Sequence, residues 1–152
     1  MHSVIERIAE RIVEMSGEGS ASGASDQEVE ELCSLWVVPR LPSAYACFLK
    51  VMGCKAGKLL EGTDAFFPRI KQMPSFIADF LSENEGSWRL PEESLIFAMH
   101  QGYQVYYMED VALDDPPVTL YMEGDSKPMR RWESLTSFLD SQLAEDYGRV
   151  AD

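Results

Sequence analysis

Apolar residues recur at three- and four-residue spacing through the first half of the chain and alternate one by one from Leu95 onward. The first pattern predicts helices and the second predicts strands. Val4, Ile5, Ile8, Ile12 and Met15 form the apolar face of an amphipathic helix over residues 2–15. Ser25 and Glu28 read as a capping box that opens a helix over residues 26–36, with Val29, Leu32, Cys33 and Trp36 turned inward. Leu41-Pro42 favours an extended approach, because the proline ring crowds the residue before it. Ser43 is the expected cap of the next helix, whose stripe is Tyr45, Phe48, Leu49 and Met52. Gly53 is expected to end that helix in a left-handed conformation. A short strand is expected at residues 58–61, between Gly57 and Gly62, and a helix at 74–81 with Pro74 in its first turn.

In the second half, Ile96, Ala98 and His100 share one face of a strand, and Leu95, Phe97 and Met99 share the other. Gln101-Gly102 predicts a hairpin turn that returns along residues 103–108. An acidic loop runs from Asp110 to Pro117, and Val118, Leu120 and Met122 alternate with Thr119 and Tyr121 in another strand. A turn at 123–128 leads to a short edge strand at 129–132, and Leu135, Phe138, Leu139 and Leu143 stripe a closing helix. Helices, then antiparallel strands, then a helix describe an α+β fold: a curved, mainly antiparallel sheet with packed helices. The expected organisation is an N-terminal helix (1–15), a Gly/Ser-rich flexible linker (16–25) and an α+β domain (26–152).

At 152 residues, with 45% hydrophobic and 11% aromatic content, the chain is long enough for one packed domain. No apolar run approaches the roughly 20 residues that span a bilayer. The N-terminus alternates in charge, unlike a signal peptide, so a cytoplasmic location is expected. Cys33, Cys47 and Cys54 are odd in number and lack CxxC spacing, which suits free thiols in a reducing compartment.

Charge narrows the picture further. The net charge is −13; residues 1–82 hold 11 acids and 8 bases, whereas residues 83–152 hold 15 acids and 5 bases. Such a field repels nucleic acid and anionic membrane and speeds encounter with a basic protein.

Candidate chemistry is sparse. His2 and His100 are the only histidines, and no dinucleotide, phosphate-loop, zinc-protease or nucleophile-elbow motif is present. Cys54 is the candidate catalytic thiol, with Lys55 beside it to favour the thiolate, and Glu92-Glu93, Glu109-Asp110 and Asp114-Asp115 are the adjacent carboxylates. A small hydrolase would have to use one of these sets. Solvated acids in loops are the plainer reading, so no catalytic residue, cofactor or metal is expected. What remains is a surface for a basic protein, with Tyr107 and Tyr121 as aromatic anchors and Asp110, Asp114, Asp115, Glu123 and Asp125 as its charges.

The string LPSAYACFLKVMG, residues 41–53, resembles the SUKH superfamily signature of Leu-Pro, two residues, Tyr, two residues, Phe-Leu and a following Gly. Leu90-Pro91 before a strand, the turn at Gly102, Pro117-Val118 and Ser137-Phe138-Leu139 continue the likeness over residues 26–145. Met52-Gly53-Cys54-Lys55 replaces the glycine pair and polar residues of many relatives, and Tyr103 stands where an aspartate often follows the turn glycine. The superfamily includes a yeast cell-wall-synthesis regulator and many bacterial immunity proteins. The resemblance therefore implies a non-catalytic binding protein that neutralises a toxin, often a nuclease. A regulatory or scaffold module is the alternative it implies.

Overall fold

The computed structural model describes residues 2–148, an α+β fold. Its helices are α1 (His2–Ser16), α2 (Asp26–Trp36), α3 (Ser43–Met52), α4 (Met73–Glu83) and α5 (Leu135–Asp146). Its strands are β1 (Ala21–Ser22), β2 (Lys55–Ala56), β3 (Leu95–His100), β4 (Gln104–Met108), β5 (Val118–Met122) and β6 (Arg130–Trp132). Strands β3 to β6 pair antiparallel in sequence order, and β1 pairs with β2 in a separate small ladder.

Local chemistry explains the starts of α2 and α5, which Ser25 and Ser134 cap. The capping box forms: Glu28 N–H donates to Ser25 Oγ at 3.1 Å, and Ser25 N–H donates to Glu28 Oε1 at 2.9 Å. At α3 the expectation fails. Pro42 is the cap residue, and Ser43 lies inside the helix without a capping bond. The Ala44 N–H instead donates to the Asp114 carbonyl at 2.9 Å, so the acidic loop closes this helix. Gly53 is right-handed, not left-handed, with φ −70°. Its need for glycine is steric, since a Cβ there would press on the Leu49 backbone.

Helix α1 packs on α3 and α5 and buries Ile5, Ile8 and Ile12. The following stretch has the composition of a flexible linker, yet it is built into the fold. Ser20 O accepts from Gly57 N–H and Ser22 O from Cys54 N–H, both at 2.9 Å, and Ala24 N–H donates to Leu49 O at 2.8 Å. Gly23 permits this, because a Cβ would collide with the Lys50 carbonyl. Residues 58–61 form turns and not the expected strand; the strand of this region is β2, two residues earlier.

A bulge at Phe97 breaks the alternation expected of β3. Ile96 pairs with Tyr107 and Ala98 with Tyr106, so Ile96 and Ala98 fall on opposite faces. On one face, Phe138 of α5 packs against Phe97, Tyr106 and Trp132, and Tyr45 of α3 meets Phe97. The other face carries Tyr107, Thr119 and Tyr121 and is covered by Phe80 of α4 and by Trp88. The sheet is a middle layer, buried on both sides.

Candidate functional site

The acidic loop between β4 and β5 is pinned at several points. Glu109 N–H donates to Pro117 O at 2.8 Å, Val111 N–H to Glu93 O at 3.0 Å, and Ala44 N–H to Asp114 O at 2.9 Å. Asp110 Oδ1 accepts from Ala112 N–H at 2.9 Å, which tightens the turn. Asp115 Oδ1 accepts from Thr136 N–H at 3.0 Å, next to Ser134, whose hydroxyl accepts from Ser137 N–H. Asp115 therefore serves the N-terminus of α5, where unpaired N–H groups and the helix dipole both favour a carboxylate. Asp114 remains exposed, and Asp110 is half-buried.

Glu123 and Asp125 do not join these acids. They sit on the turn after β5, whereas Asp110, Asp114 and Asp115 precede it. Five strand residues at about 3.3 Å each keep the two groups at opposite ends of the sheet. The turn after β5 is tied to the loop after α4: Asn84 Oδ1 accepts from Gly124 N–H at 2.7 Å, and Tyr121 OH donates to Asp125 O at 2.7 Å.

The two expected aromatic anchors are core residues. Tyr107 is 3% exposed and Tyr121 is fully buried. The cause is Trp88, which stacks on Tyr121 with ring centroids 3.8 Å apart and lies 5.7 Å from Tyr107. Burial pushes the Tyr107 phenol above its ordinary range. The β4–β5 register puts both rings on one face, and a loop from outside the sheet then covers that face. Among the tyrosines, Tyr103 is the exposed one, at the β3–β4 turn.

What the fold does gather was not predicted as a site. The bond from Val111 to Glu93 sets the exposed pair Glu92 and Glu93 beside the Asp110–Asp114 loop. Between this segment, the end of α2 and the start of α4 runs a groove of about 530 Å³. Leu35, Trp36, Val37, Ile77, Leu90 and Val111 supply its apolar surface, and Glu92 and Glu93 its charge. One signal was present in the sequence: Leu35 and Val37 fall off the inward stripe of α2.

Two of the groups weighed for catalysis, Cys54 and Glu109, sit in surroundings that work against that use. Burial and the charge of Glu28 push the Cys54 thiol up, away from the thiolate that the neighbouring Lys55 was expected to favour. Glu109 accepts from Arg131 Nε at 2.7 Å and from the Thr119 hydroxyl at 2.6 Å. Arg131 holds its carboxyl below the ordinary range, which suits an ion pair and not a general acid. Among the described residues no cluster of His, Cys, Asp and Glu could hold a metal ion, and no helix is long and apolar enough to cross a membrane.

No curated protein matches the chain. The SMI1 / KNR4 family (SUKH-1) matches residues 23–141, from the end of β1 into α5, and this chain belongs to that family.

Proposed function

We propose that this chain is a non-catalytic protein-binding domain, an immunity protein whose partner is a basic toxin domain of the nuclease type. The observation that carries the reading is the acidic end of the sheet, where Glu92, Glu93, Asp110 and Asp114 lie around one pinned loop. Nuclease surfaces are basic because they hold phosphates, so a preformed acidic face competes for the same cations. Family membership supports the reading, as does the net charge of residues 83–152, 15 acids against 5 bases.

The site differs from the sequence-based one in its members. Asp110 and Asp114 remain, joined by Glu92 and Glu93. Asp115 positions the loop, and Glu123 and Asp125 form a separate acidic edge. Tyr107 and Tyr121 hold the sheet from within. Single rim acids should each matter little, and paired reversals more, because exposed charges act mainly through the collective field.

The test uses the purified chain as bait in extract of the source cell, at low and then raised salt. Recovery of a basic toxin domain that salt releases, and that Asp110→Lys/Asp114→Lys fails to hold while Glu123→Lys/Asp125→Lys still does, supports the reading. An acidic or salt-insensitive partner overturns it in favour of a regulatory module.

A further inference from the structure

The groove between α2, α4 and residues 90–96 has features that folding alone does not require. Helix α2 buries Leu32, yet Leu35 and Val37 are left 43% and 87% exposed at the lip of the groove. Val37 ends α2 in the left-handed region, φ 54° and ψ 49°. A β-branched side chain is strained there, and glycine would make the same turn without strain. The chain thus holds an isopropyl group in solvent, in an unfavourable conformation, beside an apolar groove. Strain kept at an exposed position points to a role outside folding.

Charge decides the occupant. Glu92 and Glu93 line the groove, no Lys or Arg among the described residues does, and Asp110 lies one residue from the lining residue Val111. Arg40 and Arg89 lie beyond its ends in sequence and do not line it. We propose that this groove docks an amphipathic segment of a partner protein, which buries apolar side chains against Val37, Leu35 and Ile77 and sets Lys or Arg against Glu92 and Glu93. The proposal rests on the reading of this end of the molecule as a protein-binding face, but not on the partner being a toxin. Apolar contact supplies the affinity of such a site, and the carboxylates set the orientation and exclude acidic segments.

The test is a nuclear magnetic resonance titration of the isotope-labelled full chain with two synthetic amphipathic helical peptides of equal length. One carries Leu and Lys, and its twin carries Leu and Glu. The Leu/Lys peptide should shift amides at residues 35–38, 75–77, 90, 92–96 and 111, and the Leu/Glu twin should not. Val37→Gly should weaken the Leu/Lys peptide by about fivefold or more while raising the thermal midpoint. A merely structural Val37 would give the second effect without the first. Leu35→Ser, at a half-exposed site, should weaken binding in the same way.

Equal binding of the twin, or shifts centred on the Glu123–Asp125 turn, or unchanged affinity in both variants, would overturn the proposal. Concentration-dependent shifts at the same amides without peptide would assign the groove to a second copy of this chain and also overturn it. Capture of a basic toxin that persists in Val37→Gly and Leu35→Ser would sink the groove and leave the immunity reading standing. Groove binding without such a toxin would do the reverse.

Discussion

The Asp115 carboxylate accepts the Thr136 backbone N–H at 3.0 Å, so the most acidic loop of the chain closes the N-terminus of α5. Its neighbour Asp114 contributes only a backbone carbonyl, to Ala44, and leaves its side chain exposed. Two adjacent acids thus have different roles. Asp115→Ala should cost about 1 kcal/mol, as loss of a helix cap does, and lower the thermal midpoint by roughly 2–4 °C. Asp114→Ala should change stability by less than about 0.5 kcal/mol. Urea denaturation of both variants checks this, and equal losses would show that the helix-end bond carries no weight.

Tyr121 is held by Trp88 stacked on its ring, by Phe80 edge-on at 6.1 Å, and by its hydroxyl on Asp125 O and Asn84 Oδ1. Tyr121→Phe keeps the packing and gives up the hydroxyl, for a cost of about 1 kcal/mol. Tyr121→Ala opens a cavity under Trp88 and should cost about 3–5 kcal/mol. Tryptophan fluorescence in a denaturant series reads both. A surface anchor would show the opposite pattern, with stability kept in Tyr121→Ala.

Elements governed by near neighbours were legible in the sequence. The Ser25–Glu28 box, the Tyr45–Phe48–Leu49–Met52 stripe and the alternation of β5 depend on residues within a turn or on the pleat. The failures come from contacts distant along the chain. Nothing near Tyr107 or Tyr121 shows that Trp88 will cover them, and nothing near Ser43 shows that Asp114 will take over its capping role. The bulge at Phe97 shifts the β3 register by one residue, which periodicity assumed regular. The candidate site was half legible. Its acids were visible as a class, but grouping Asp110 with Glu123 ignored the strand between them. Glu93 enters only through the backbone bond of Val111, a pairing with no sequence signature.

Tyr45 is completely buried between Trp36, Phe48 and Phe97, and its hydroxyl has no hydrogen-bond partner among the described residues. Burial pushes the phenol well above its ordinary range, so it is neutral in the folded protein. Removing an unpaired buried hydroxyl relieves a desolvation cost. Tyr45→Phe should therefore be neutral or stabilising by up to about 1 kcal/mol in urea denaturation. A loss above ~1 kcal/mol would mean that the hydroxyl is bonded in solution.

Glu109 and Asp146 give the fold opposite pH dependences. The bond to Arg131 is the main reason that the Glu109 carboxyl titrates below its ordinary range, so its stabilisation is present above that range and lost as pH falls through the folded value. Burial pushes the Asp146 carboxyl up, although Leu60 N–H at 2.7 Å and Gln142 Nε2 at 3.1 Å partly offset it. Its contribution is greatest below the unfolded value, about 3.9, and declines as pH rises through the raised folded value. Ionising this half-buried carboxyl as the pH rises is therefore a net cost to the fold. Asp146→Asn keeps an acceptor for Leu60 without the charge. Its thermal midpoint relative to the parent should improve as pH is raised from 4 to 7. Glu109→Gln should lose most at pH 7 and approach the parent as pH drops below the carboxylate range. Thermal melts of the three proteins across pH 3–8 decide the matter, and parallel curves would show that neither carboxylate is coupled to folding.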